Sequence, residues 1–339
     1  MTDQPLLLVY TKKDNDELGL ARNIVRGEPV LARTVSRLRF NPDAFHFAKG
    51  AETVSEIQAL PSQRLSWEDC CFQRAQDLLR LNKDHYFISY SGGIDSTAIL
   101  VSLLETWPRH ALEKVTVLLS KSSVEENPNF FNRVVENFKI ETSVQEMSSR
   151  LVETRSLLVT GEAGDQLFGS VVLSELWEKF GSRIFTDDYQ EMAKIALKDS
   201  FERFAPIVEE SPIPIRSAVD FFWWLNFTQK WQFVKYRFMQ SAEWDLRAQY
   251  GEHVLHFYDS VAFQQWSLEN HDRKIQKTWD SYKFIVKEFI YKYTRDPEQL
   301  KLRKLQSLFK TFTLTEKRMA ITPAYKSIAT LNELRDYVR

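Results

Sequence analysis

At 339 residues the chain has room for about two domains of the usual ~100–200 residues. It is 43% apolar and 27% charged with a formal net charge of −1, an ordinary globular balance that argues against a protein made chiefly to coat nucleic acid. No run approaches the ~18–20 apolar residues that span a bilayer, and the N-terminus lacks the basic-then-apolar pattern of a secretory signal. Cys70 and Cys71 are adjacent, which suits neither a disulfide framework nor a zinc site. These features predict a reduced, soluble, cytoplasmic protein without a membrane partner.

Residues 1–66 hold short strand-like runs, Leu6–Tyr10 and Val30–Leu38, separated by polar turns, and read as a small β-rich or irregular N-terminal region. A helix signature starts at Ser66: an N-cap serine, Glu68 and Asp69 in the first turn, then Phe72, Ala75, Leu78 and Leu79 at helical spacing. A strand-like run, Tyr86–Tyr90, leads through Ser91-Gly92-Gly93-Ile94-Asp95-Ser96 into an apolar helix pattern over Thr97–Leu104. The order repeats with the β-branched run Val115–Leu119, a polar loop over Ser120–Asn129 and a helix pattern through Phe138. A third run, Leu157–Thr160, enters Gly161-Glu162-Ala163-Gly164-Asp165. Strands alternating with helices predict an α/β fold, a parallel sheet with helices on both faces. The sheet half covers about 67–170, and the aromatic-rich remainder, 171–339, reads as helical.

The Ser91–Ser96 string lies where an α/β sheet holds its ligand, between the carboxyl end of a strand and the first turn of a helix. Paired glycines allow a close backbone approach, so that successive amides form an anion nest reinforced by the helix N-terminus. The hydroxyls of Ser91 and Ser96 are further donors. An acidic residue in such a nest repels phosphate unless a divalent cation lies between them, and oxygen ligands with phosphate suit magnesium. The loop is not a Walker A motif, which requires GxxxxGK[ST].

The second loop, Thr160–Gly169, presents Glu162 and Asp165 just beyond another strand end. Ends of neighbouring strands share one crevice in a doubly wound sheet. Asp165 is therefore expected to join Asp95 around one metal, leaving Glu162 to orient or deprotonate a substrate.

With these two strings the chain resembles the synthetase domain of asparagine synthetases, within the ATP-pyrophosphatase (PP-loop) group, whose motifs are SGGxDS and SGEGxDELFGG. Glu252, Phe257 and Asp259 fit that family's E-x-R-x-P-F-L-D segment, followed by Phe263 and Trp266. The resemblance covers roughly residues 67–310. It implies an adenine nucleotide alpha hydrolase-like fold. It implies ATP held by Ser91, Gly92, Gly93, Asp95 and Ser96, and backbone at Ser89, Tyr90, Leu118, Thr160 and Gly161 lining the adenosine site. Asp95 and Asp165 take the magnesium-ligand roles, Glu162 stands beside the reacting acyl group, and Lys304, with Lys301 as rival, supplies the charge-stabilising lysine.

The chain also departs from the family. It offers no N-terminal cysteine and too few residues before the first motif for a glutaminase domain, so ammonia or an amine, or a separate glutaminase, is the expected nitrogen source. Gln166, Ser170 and Val254 replace an acidic residue, a glycine and an arginine of the motifs.

Elsewhere, the six histidines show no H-E-x-x-H spacing, no G-x-S-x-G elbow occurs, and the aromatic stretch Phe221–Phe238 reads as helical core rather than a base-stacking platform. The segment Arg273–Lys310 carries eleven basic residues against four acidic ones. That charge reads either as a solvated helix face or as a wall for an anionic ligand. The overall expectation is a carbon–nitrogen ligase that adenylates a small-molecule or peptide carboxylate with magnesium-ATP and passes it to an amine. The alternatives are a PP-loop enzyme acting on a nucleoside or nucleic acid, and a silent nucleotide-binding relative.

Overall fold

The computed structural model describes residues 65–141, 151, 154–169, 172–197, 201–230 and 250–302. The N-terminal region to residue 64, Ser170 and residues 303–339, Lys304 among them, lie outside the described residues. No helix among the described residues is long and apolar enough to cross a membrane.

These residues divide into two compact units. The first draws on 65–161, 250–257 and 285–302 and contains a five-stranded, all-parallel sheet in the order β3-β2-β1-β4-β5. It opens with helix α1, Trp67–Arg80, capped as expected: the Ser66 hydroxyl accepts from the Asp69 amide and the Asp69 carboxylate accepts from the Ser66 amide. Trp67, Cys71, Ala75 and Leu78 recur at helical spacing and are buried; Cys70 is buried beside them, neither cysteine is in a disulfide, and burial holds the Cys71 thiol well above its ordinary pKa.

Strand β1, His85–Ser89, passes into α2, Ile94–Thr106, which packs on α1; the Trp107 indole donates to the Ala75 carbonyl at 2.8 Å. Strand β2, Val115–Leu118, is fully buried, as a central parallel strand covered on both faces requires. The stretch read as a polar loop after it is helical. In α3, Lys121–Glu126, Ser120 and Ser123 cap one another; in α4, Pro128–Arg133, Asn127 caps the Phe130 amide and proline takes the first turn. The short strand β3, Lys139–Glu141, pairs with β2, and β4, Ser156–Thr160, pairs with β1 and is buried throughout.

Among the described residues beyond 170, the regular structure is helical with one exception. Strand β5, Val254–His256, adds to β4 and returns to the sheet; at three residues it is too short to show an alternation. Val254, which stands at the family's arginine position, is buried in this strand.

The second unit draws on 162–230 and 258–284. It contains α5 (Gly164–Phe168), α6 (Val172–Phe180), α7 (Tyr189–Leu197), α8 (Ala218–Leu225) and α9 (Val261–Glu269). Ser217 and Asp220 form a capping box on α8, and Phe221, Phe222, Trp223 and Trp224 are all fully buried. Within the described part of the aromatic stretch, the expected helical core is what forms. From the end of this unit, α10, Phe284–Thr294, carries the chain back to the first; Phe289 there meets Phe72 of α1 edge to face at 5.9 Å.

Candidate functional site

Strand order places the candidate loops. Successive strands run β1 to β2 to β3 on one side, and the chain then adds β4 and β5 on the other, so the direction of winding reverses between β1 and β4. The carboxyl ends of these two strands form a topological switch point, where open α/β sheets bind ligands. Both glycine-bearing loops begin there, and Ser89, Leu118 and Thr160 are the last residues of β1, β2 and β4. The expected adenosine-lining backbone is thus gathered along one sheet edge. Part of it is already engaged: the Leu118 carbonyl accepts from the Tyr90 amide at 2.8 Å and the Thr160 carbonyl from Phe257 at 2.9 Å.

The first loop is braced from within. The Ser96 hydroxyl accepts from the Ser91 amide at 3.1 Å and donates to the Gly93 carbonyl at 3.0 Å, so it fixes the loop's shape. Ser91 Oγ lies 3.2 Å from Ser96 Oγ and accepts from the Gly93 amide at 3.3 Å. Gly92 has φ +81°, and a methyl there would lie 2.2 Å from the Ser123 carbonyl oxygen, so both backbone angle and space demand glycine. Glu126 of α3 also reaches this loop: its Oε1 would be 3.2 Å from a methyl on Gly93. This second carboxylate beside the glycine pair was not singled out from sequence, because the helix carrying it read as a polar loop. Behind the loop the buried Tyr90 ring stacks on Phe130 at 6.1 Å, and burial raises the phenol pKa.

Asp95 stands in the first turn of α2, after the N-cap Gly93. Gly161, first residue beyond β4, lies directly against it: a methyl on Gly161 would be 3.5 Å from Asp95 Cβ and from the Ser96 amide nitrogen. The start of the second loop therefore meets the end of the first. No group of three or more His, Cys, Asp or Glu able to hold a metal occurs among the described residues. A cation at Asp95 would draw most of its ligands from a triphosphate and water, which is how magnesium is usually bound with nucleotides.

In the helical unit, Ala163 has φ +70°, the left-handed region, at a position the resembled motif fills with glycine. That conformation costs a non-glycine residue about 1–2 kcal/mol. Gln166, in place of the motif's acidic residue, is buried, and its amide donates to Asn226 Oδ1 at 3.4 Å, a bond that a carboxylate could not give. Asn226 Nδ2 in turn donates to the Asp165 carbonyl at 3.2 Å and to the Gly169 carbonyl. The departure at 166 is thus matched by an amide partner that holds both ends of α5.

The Asp165 carboxylate is engaged as well. Lys283 Nζ donates to its Oδ1 at 2.7 Å, and the lysine side chain is 2% exposed. Sequence reasoning found this lysine only as one charge in a basic segment; its partner lies 118 residues away and carries no local signal. At an effective dielectric of ~20, a dication about 4 Å from that ammonium would be opposed by about 8 kcal/mol.

The described part of the basic segment divides: Arg273, Lys277 and Arg295 are exposed to solvent, while other lysines are drawn inside. Lys274, Lys283 and Lys287 are buried, while Lys292 and Lys301 are exposed and pair with Glu68 at 2.8 Å and Glu298 at 2.7 Å. Lys274 Nζ lies 3.4 Å from the Trp223 ring centroid and 3.0 Å from His271 Nδ1, and His271 Nε2 lies 2.7 Å from Asp220 Oδ1. Burial, then the neighbouring Lys274, lower the His271 pKa, and burial holds Lys274 well below its usual value. Burial would raise the Asp220 pKa, but hydrogen bonds from His271 and the Ser217 and Arg216 amides outweigh it and lower it.

Of the residues expected from the weaker later motif, Glu252 is exposed and its carbonyl accepts from Lys83 at 2.8 Å. Phe257, Phe263 and Trp266 are buried core. His253 and His256 are buried too: His253 Nδ1 lies 3.1 Å from the Ser156 carbonyl and His256 Nδ1 lies 2.6 Å from Thr160 Oγ1, tying β5 to β4. No protein-family model matches the chain, and neither does any curated protein.

Proposed function

We propose that the chain is an ATP-dependent, amide-forming ligase that works through an acyl-adenylate. The observation that carries this reading is the meeting of Gly161 with the first turn of α2 at the β1/β4 switch point, beside a rigid Gly92–Gly93 loop and Asp95. A substrate carboxylate oxygen attacks the α-phosphorus of magnesium-ATP; the new O–P bond replaces the bond to the β-phosphate, and pyrophosphate leaves. An amine or ammonia nitrogen then attacks the acyl carbon, the bond to AMP breaks, and the nitrogen gives up a proton to Glu162. The loop amides and the α2 N-terminus act on charge moving to pyrophosphate, and Asp95 would hold the cation that arrives with ATP and neutralises part of that charge. The lysine that neutralises the same charge is assigned to Lys304, ahead of the exposed, Glu298-paired Lys301.

The test is incubation of the chain with magnesium and α-labelled ATP across a panel of carboxylates and amines. AMP and pyrophosphate formed together with an amide support the reading. ADP as product, or nucleotide binding with no turnover across the panel, overturns it, the latter in favour of a silent nucleotide-binding relative.

A further inference from the structure

We propose that Lys283 is the resident cation of the second loop and stands where a metal ion would otherwise sit at Asp165, so that the chain takes up a single divalent cation, the one that arrives with ATP at Asp95. For Asp95 the inference rests on the adenylating reading; for Asp165 it rests on the ion pair itself.

The pair is built into the helical unit. Lys283 Nζ meets Asp165 Oδ1 at 2.7 Å with the lysine side chain 2% and the aspartate 27% exposed. The ammonium lies 5.6 and 5.7 Å from the Phe168 and Tyr282 ring centroids. Its backbone is in the left-handed region at φ +59°, and its amide donates to the Lys274 carbonyl at 3.0 Å. Lys274 is itself fixed through His271 and over Trp223. A side chain delivered by so constrained a backbone is not a surface lysine resting on a carboxylate. Magnesium needs an octahedron of oxygens around it, whereas an ammonium meets the carboxylate with N–H donors and brings no hydration shell into the aromatic pocket. Lys283 is accordingly a positioning residue: it holds the loop that carries Glu162 in one charge state and one shape before any ligand arrives.

The experiment counts bound Mn2+ on the full chain by electron paramagnetic resonance, with α,β-methylene-ATP as a nucleotide that cannot release pyrophosphate. The expected result is about one ion per chain. The double variant D165N/K283M removes both charges together and strands neither; it keeps that count, with Mn2+ affinity within about twofold. K283M alone frees the carboxylate and takes up a second ion.

Two ions on the unmodified chain, a loss of about tenfold or more in Mn2+ affinity in the double variant, or a single ion in a folded K283M each overturn the proposal. Should K283M fail to fold, the double variant decides. Failure of the analogue to bind the unmodified chain at all would instead count against the adenylating reading. The pair is then judged by urea unfolding of D165N, K283M and the double variant: non-additive losses support it and additive ones overturn it.

Discussion

Gly161 lies against Asp95, so close that a methyl on the glycine would sit 3.5 Å from the aspartate Cβ. Two residues far apart in sequence are brought together because β1 and β4 are neighbours in the sheet with parallel register, Ile88 opposite Val159. Glycine at 161 lets the start of the second loop run against the first turn of α2.

Gly92 and Gly161 therefore respond differently to the same substitution. Gly92→Ala forces a left-handed alanine onto the Ser123 carbonyl, 2.2 Å away, and is expected to cost on the order of 3 kcal/mol in urea unfolding. Gly161→Ala makes only ordinary contacts and is expected to stay within about 1 kcal/mol of the unmodified chain. The added methyl nevertheless stands beside Asp95 at the proposed nucleotide site, and nucleotide affinity measured by calorimetry should fall at least ~10-fold.

Asp95→Asn removes the charge proposed to face the cation and keeps the helix start. Pyrophosphate release is expected to drop by ~10²–10³. The midpoint of thermal unfolding should move far less than activity, since Asn keeps the shape of the side chain and the loop's bracing bonds through Ser91, Gly93 and Ser96 are untouched.

Ala163→Gly relieves the left-handed alanine between Gly161 and α5. The variant is expected to be more stable by about 1 kcal/mol, read as a higher urea midpoint with an unchanged slope. A position that gains stability while turnover falls would mark strain kept for function.

Acid should loosen the helical unit through His271. Its pKa is lowered in the folded chain, by burial first and by Lys274 second, so the unfolded chain binds more protons. The stability this neutral ring contributes is fully present above the free-histidine value of about 6.5 and is lost as pH falls from there through the folded value. The expected loss between pH 7.5 and pH 5 is on the order of 1 kcal/mol, followed by urea unfolding. His271→Gln should flatten that slope, because an amide oxygen can still accept from Lys274 and does not titrate.

The sheet was readable because β1, β2 and β4 are largely apolar runs, two of them leading into glycine-bearing turns, and the capped start of α1 at Ser66 because the capping pattern is local. Strands β3 and β5 escaped notice for the opposite reason: three residues are too few to show a period. Loop residues were likewise legible as types, Gly92, Asp95, Glu162 and Asp165 among them, while their partners were not. Glu126 reaches the first loop from a helix that reads as polar coil, and Lys283 reaches Asp165 from a segment whose charge suggested a surface. Partnerships of this kind are set by tertiary packing across long separations, which residue spacing does not encode.

The strand order has a bearing on how the molecule comes to exist. With β1 at the centre, the β1–β2–β3 flank can assemble from one nearly continuous stretch, whereas β4 must return across the intervening chain before it docks. Closing that longer excursion is the slower, entropically dearer event. Since Gly161 reaches Asp95 only when β4 is home, the junction of the two loops is made by that docking and is absent from a sheet that holds only β1, β2 and β3.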